Sequence, residues 1–417
     1  MAREATLGHN IRHLYEYRPE SLNCIRCGMC RMVYPDAVSS NKYMMNCPRG
    51  LKNNFEAYYS GTGTHAVIRA LTAMDPELDY DDPEVQKIIF SCTVCGSCQQ
   101  TCNAIKNLEP ANAMMALREW LVRKGVLLKN HNSLIQSIIN YDNPWMAPRR
   151  TRAKWARDLQ REKGINVKDA SKEKVEVLAF AGCNGGYVPE ITPVVKAMAR
   201  VLDKAGISWG ILGEKERCCG STAFRVGAVD MFEEYKKKNI EQLNSLGIKK
   251  MVMVCSGCYS TFKHSYSGEL DFEIVHLSEM MEGMIKNGQV KFKKSLDMRV
   301  TYHDPCHLGR YGGIEGGIYD PPREILKSIP GIELVEMNRI RHYSFCCGSG
   351  GGVKSAHPEV SSNAAMMRWQ EAMDVAGTKI MTSACPFCEL NLGEAAKNIE
   401  GAKMYDVMQL VDMALGD

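Results

Sequence analysis

Three things are scarce in this chain. Net charge is the first: 52 Lys and Arg against 48 Asp and Glu leave only +4 over 417 residues, too little of either sign to point to nucleic acid. Long apolar runs are the second. None approaches the ~18 residues of a membrane span, and the opening MAREATLGHN lacks the basic-then-apolar layout of a secretory leader. The third is a nucleotide fingerprint: no flavin or nicotinamide motif is present, so redox work by this chain needs an external electron donor. The expectation is a cytoplasmic protein in a reducing compartment, meeting a membrane only through a partner. In that compartment thiols serve as metal ligands rather than as disulfides.

Cysteine is what the chain has in excess, at 18 residues. Ten of them form two copies of one pattern. The first copy is Cys183, then Cys218-Cys219-Gly220, then Cys255-x-x-Cys258. The second is Cys306, then Cys346-Cys347-Gly348, then Cys385-x-x-Cys388. The spacings nearly agree, which predicts a duplicated unit of roughly 125 to 130 residues. Each copy gathers five thiols, one more than a cubane cluster or a tetrahedral zinc needs. A surplus ligand suggests an unusual cluster able to do chemistry as well as pass electrons.

The other eight cysteines lie in the first quarter. Cys24-x-x-Cys27-x-x-Cys30 and Cys92-x-x-Cys95-x-x-Cys98-x-x-x-Cys102 each wrap three corners of a [4Fe–4S] cube. Where two clusters share a ferredoxin fold, each takes its fourth ligand from the other motif. Cys24, Cys27, Cys30 and Cys102 then hold one cube, and Cys92, Cys95 and Cys98 the other. The fourth ligand expected before Pro35 is missing, because Tyr34 stands there. Cys47, followed by Pro48, is assigned in its place. Asn103 also stands where a proline usually follows the last cysteine. A zinc-ribbon reading uses paired cysteines, and a third at the same tight spacing argues against it. A zinc-stabilised scaffold is the non-redox alternative, decided by iron and sulfide analysis.

The apolar pattern places these motifs. PANAMMALREWLVRKG repeats Met114, Leu117 and Leu121 at helical spacing, with Gly125 as its stop. KVEVLAFAGC, KKMVMVCSGC, MRVTYHDPC and TKIMTSACPFC read as strands that end at cysteines. AVDMFEEYKKKNIEQLNSLG and VSSNAAMMRWQEAMDVAG read as helices between them. Alternation of this kind predicts parallel sheet, with sites at the strand carboxyl ends. The expected fold is a multidomain α+β chain. Residues 1–135 form a helical ferredoxin domain and 136–172 a basic linker. Residues 173–295 and 296–417 form two α/β lobes related by a pseudo-twofold. NPWMAPRRTRAKWARDLQREKG reads as a solvated face, or as a docking surface anchored by Trp145 and Trp155.

Several non-cysteine residues join the candidate site. Gly220 and Gly348 permit positive φ where the backbone turns around a bulky inorganic core. The run GSGGG resembles a phosphate cradle, but directly after twin cysteines it is expected to pack against a cluster. His303 and His307 flank Cys306 and could ligate metal, donate hydrogen bonds, deliver protons or simply pack. Arg225, Arg310 and Lys263 could bind an anionic substrate or form structural ion pairs.

A ferredoxin-like segment followed by two complete C…CCG…CxxC motifs resembles the D subunit of heterodisulfide reductase. NPWMAPRRTRAKWARDL, NIEQLNSLGIKKMVMVCSGCYSTFK, YHDPCHLGR and FCCGSGGGV carry the likeness over nearly the whole chain. The resemblance implies a noncubane [4Fe–4S] cluster on each set of five thiols, beside the two cubanes. Together they would cleave or form a small-molecule disulfide, in that family the one joining coenzyme M to coenzyme B. Similar chains are electron-transfer subunits beside flavin-linked dehydrogenases, or sit in tungsten-containing benzoyl-CoA reductase complexes. The Tyr34 and Cys47 departure points toward such complex-bound relatives. The alternative function is therefore a relay between a flavoprotein or tungsten-enzyme partner and another carrier or quinone module. Either way the protein is expected to be oxygen-sensitive.

Overall fold

The computed structural model of the chain describes residues 81–100, 109–312 and 316–416. Among the described residues nine strands build two sheets, and every pairing is parallel. The first sheet holds β1 (Lys168–Asp169), β2 (Val177–Phe180), β3 (Trp209–Ile211), β4 (Lys250–Met253) and β5 (Glu273–His276), in the order β1-β3-β2-β4-β5. The second holds β6 (Met298–His303), β7 (Ile332–Leu334), β8 (Ile380–Ser383) and β9 (Lys403–Asp406), in the order β7-β6-β8-β9. The order 3-2-4-5 in the first thus recurs as 7-6-8-9 in the second. All four residues of β2 and all three of β3 are buried. That is why they read as continuous apolar runs: helices cover both faces of a parallel sheet.

The four strand-like runs of the sequence form β2, β4, β6 and β8, each upstream of its cysteine. The helical stretches form as Val229–Asn244 and Pro358–Asp374. The outermost strand of each sheet ends in a capping box. His276 caps Leu277–Lys286 with Glu279 as its reciprocal partner, and Asp406 caps Val407–Leu415 with Gln409. Each box satisfies helix N–H groups that would otherwise be orphaned.

One apolar core runs through both sheets. Thr192–Lys204 packs on Val407–Leu415, and Leu277–Lys286 packs on Asp320–Ser328. Val194, Met198, Val201 and Leu202 of the first of these helices are wholly buried, at helical spacing. Arg200 pairs with Asp412 at 2.9 Å across the same contact. The connection between the sheets is tied down as well, since the N–H groups of Lys293 and Lys294 both donate to the Ala414 carbonyl.

The helix Pro110–Arg123 forms as its pattern predicts, and Gly125 follows it at φ +86°. Its first N–H groups are met from outside: Gln99 Oε1 accepts from Ala111 N and Asn112 N. In the basic stretch, the helix Lys154–Lys163 turns Trp155, Ala156 and Leu159 into the first lobe's core. Trp145 and Met146 remain exposed. Among the described residues no helix is long and apolar enough to cross a membrane.

Candidate metal centre and active site

Parallel strands deliver the cysteines to one place. Cys183 lies in the short helix that follows β2, and Cys255 caps the turn after β4 that carries Cys258. Cys306 follows β6, and Cys385 caps the helix Pro386–Ala396 that carries Cys388. The twin cysteines arrive on loops beyond β3 and β7. In the first lobe the neighbouring thiols run Cys183 to Cys218, Cys218 to Cys219, Cys219 to Cys258 and Cys258 to Cys255, each perturbing the next. In the second the run is Cys306 to Cys346, Cys346 to Cys347, Cys347 to Cys388 and Cys388 to Cys385. Cys255 meets Cys385 across the lobes, and Cys346 meets Cys95 of the N-terminal segment. Eleven sulfurs therefore form one run. The described cysteines are all free thiols, and only Cys92 and Cys306 are less than fully buried. Cys24, Cys27, Cys30, Cys47 and Cys102 lie outside the described residues.

The glycines fit the expectation for them. Gly220 and Gly348 sit at φ +81° and +92°. Each donates its N–H to the sulfur two residues back, at 3.4 Å to Cys218 and at 3.4 Å to Cys346. The GSGGG run is packed against protein on one side, while Ser349 to Gly352 line a cavity on the other. A Cβ at Gly350 would lie 2.8 Å from the Thr93 carbonyl, and one at Gly351 2.8 Å from that of Cys92. The run is the seat of the Cys92–Cys98 loop.

Buried arginines organise the rest. Arg118, wholly buried, donates to the carbonyls of Ile89, Cys92, Arg225 and Gly351, tying the N-terminal segment to both lobes. Arg310 donates to Cys95 O at 2.9 Å and Ser344 O at 2.6 Å, and Tyr311 to Val94 O at 2.5 Å. Arg152 pairs with buried Glu216 at 2.5 Å and reaches the Cys183 sulfur at 3.7 Å. A cation there favours a thiolate. Arg152 lies in the basic stretch that reads as a solvated face yet is buried, and no sequence signal marked Glu216, 64 residues away. Lys263 is exposed.

Arg225 differs from these. It is buried, and among the described residues only Nη1 of its guanidinium is hydrogen-bonded. Nη1 donates to the hydroxyls of Ser221 and Thr261, while Nε and Nη2 have no hydrogen-bond partner. It lines a cavity of about 480 Å³. The floor of that cavity is Cys306, Cys346, Cys347, Cys385 and Cys388, with His307 beside them and Trp145 and Met146 at the rim. No cysteine of the first set lines it. His303 lies behind this floor, and a ring nitrogen of it and the sulfurs of Cys347 and Cys388 all fall within 4.8 Å of one another. Burial, with Arg368 beside it, pushes His303 down to about 3, so its ring is neutral.

The donor set fits iron–sulfur chemistry. Ten converging thiols without disulfides, backbone N–H groups aimed at sulfur, and glycine at the turns are what a thiolate-bound cluster requires.

Comparison with known proteins agrees. A cysteine-rich domain family, CCG, matches residues 177–263 and 300–393, and a 4Fe-4S dicluster domain family matches residues 20–104. The D subunit of the dihydromethanophenazine:CoB–CoM heterodisulfide reductase of Methanosarcina acetivorans is 34% identical over 94% of this chain and 94% of its own. The probable iron-sulfur-binding oxidoreductase FadF of Bacillus subtilis is 33% identical over 86% of this chain and 51% of its own. The EtfAB:quinone oxidoreductase of Syntrophomonas wolfei is 27% identical over 94% of this chain and 58% of its own. This chain thus spans little more than half the length of the last two. On its two CCG regions, its dicluster segment and its end-to-end likeness to the methanogen protein, the chain belongs to the family of heterodisulfide reductase D subunits, which are iron–sulfur oxidoreductases.

Proposed function

We propose that each set of five thiols holds one noncubane [4Fe–4S] cluster and that the first quarter holds two cubanes. Cys92, Cys95, Cys98 and Cys47 would bind the cubane nearer the lobes, and Cys24, Cys27, Cys30 and Cys102 the other. The recurring strand order supports two lobes, 173–295 and 296–417, related by a pseudo-twofold and joined through 136–172 to the ferredoxin domain 1–135. The clusters supply one-electron transfer and thiolate capture by iron. The overall step is a disulfide plus two electrons and two protons giving two thiols, or the reverse.

The chain's own residues do the rest. The Cys92–Cys98 loop, held by Arg118, Arg310 and Tyr311, delivers electrons next to Cys346. The cavity admits the substrate to the second lobe's sulfurs. Arg225 lines that cavity and offers its positive charge to an anionic group on the substrate. Buried walls exclude water. Electrons come from a flavoprotein or another donor protein of a cytoplasmic assembly, as the names of the relatives suggest.

The observation that carries this reading is the cavity, which leads from the surface to the second thiol set. The likeness to the EtfAB:quinone oxidoreductase favours a second reading, a relay toward a quinone-reducing partner. The test is anaerobic purification, an iron count of about sixteen per chain for four four-iron clusters, and oxidation of reduced viologen by the coenzyme M–coenzyme B disulfide. Turnover supports disulfide chemistry. Full iron content without turnover rejects that substrate and favours the relay.

A further inference from the structure

Arg368 has no exposed surface. Its Nη1 is held by Glu371 at 2.8 Å, and its Nε donates to Nδ1 of His303 at 3.1 Å. A guanidinium has no acceptor, so Nδ1 must accept and carries no hydrogen, which puts the hydrogen of the ring on Nε2. A metal-ligating histidine is arranged the other way round: its outer nitrogen donates to a carbonyl or carboxylate, leaving a lone pair for the metal. At His303 the outer partner is itself a donor. Arg339, bonded to the same Glu371 at 3.0 Å, fixes the arrangement from behind.

The first lobe has no counterpart. β2 and β6 hold matching places in their sheets, and each ends three residues before its cysteine. β6 ends in His303, and β2 ends in Phe180, whose ring packs edge-on against Phe262 at 5.1 Å. A donor to sulfur stabilises the more negative, reduced state of an iron–sulfur centre. One thiol set has a histidine nitrogen within 4.8 Å of two of its sulfurs, and the other has a phenylalanine at the matching strand position.

Given the reading that both thiol sets hold clusters, we propose that His303, locked by Arg368 as the Nε2–H tautomer, donates to the Cys347 and Cys388 sulfurs and gives the second lobe the higher reduction potential. Arg368 is a positioning residue in this scheme. Electrons arriving beside Cys346 then rest on the lobe that the cavity exposes, instead of spreading evenly over both.

The test uses the full chain, purified without oxygen, with iron and sulfide counted before an EPR-monitored redox titration. His303→Phe copies the first lobe, and His303→Gln keeps an N–H donor. The expected result for His303→Phe is undiminished iron and a fall in the potential of one CCG cluster alone. The fall expected is about tenfold in its one-electron equilibrium, or about 59 mV. His303→Gln should stay nearer the wild type. Unchanged potentials in iron-replete His303→Phe overturn the proposal, and so does loss of iron in both variants, which would make His303 a ligand or a packing post. If His303→Phe alone loses iron, Arg368→Met decides: it leaves the ring and releases its tautomer, and an unshifted potential overturns the assignment. A wild-type chain without iron at the CCG thiols overturns the cluster reading itself, and the iron count reveals that before any titration.

Discussion

Arginines decide much of this site, and their neighbours sort them in a way that sequence proximity does not. Arg225 and Arg310 both lie near cluster cysteines in the chain. Arg310 donates to carbonyls of distant segments, whereas Arg225 lines the cavity, with its guanidinium stacked over the Tyr311 ring at 5.1 Å. Arg225→Gln is expected to raise KM for an anionic disulfide by about ten- to a hundredfold, the worth of a hydrogen bond to a charged group. Its kcat and iron content should hold, and a neutral disulfide should be unaffected in steady-state assays. His131 gives a prediction in pH. Burial pushes it down to about 4, although the Gly352 carbonyl accepts from its ring. A depressed histidine lends its stability above the unfolded value near 6.5 and loses it as pH falls through that value toward 4. The slope is about 1.4 kcal/mol per pH unit for one such group. Denaturant midpoints at pH 7 and pH 5 should therefore fall less for His131→Gln than for the wild type. Equal losses would remove His131 from the account.

At the level of elements, the strands ending at cysteines were readable because apolar runs and their stops are local. So were the helices between them, and the turns at Gly220 and Gly348. The role of GSGGG was not readable. Its partners are the carbonyls of Cys92 and Thr93, more than 250 residues away, and no local pattern encodes such a contact. The helix Lys154–Lys163 was hidden differently: its charges mask the stripe of Trp155, Ala156 and Leu159 that buries it. Of the three clustered N-terminal cysteines the structure describes, Cys95 lands on Cys346, a pairing that spacing could not supply. The turns yield a contrast. At Gly348 a Cβ would lie 2.5 Å from the Ser361 carbonyl, at φ +92°, whereas Gly206, at φ +67°, has nothing within 4 Å. Gly348→Ala should lower the thermal midpoint sharply and shed iron from one cluster, since left-handed strain of about 1–3 kcal/mol adds to a backbone collision. Gly206→Ala should cost about 1 kcal/mol and keep its iron.

Across the whole molecule, the two lobes behave as one body because their helices interlock. The sequence announces a duplication, and duplicated units usually suggest separable domains. The core shows otherwise, with Val194 and Met198 of one half and Leu410 and Val411 of the other in a single buried cluster. Met198→Ala is expected to cost about 2–5 kcal/mol. It should lower one common transition, followed both by near-ultraviolet dichroism and by cluster absorbance. Two separated transitions would mean that the lobes melt independently.

That interlocked core also limits how a gene for this protein could be divided. A break between residues 295 and 296 would sever a connection whose own amides are pinned to the last helix, and each product would bare the apolar face that the other covers. The two matching regions are therefore bound into one folding unit by their shared core. A change on the inner helices of either half bears directly on the packing of the other.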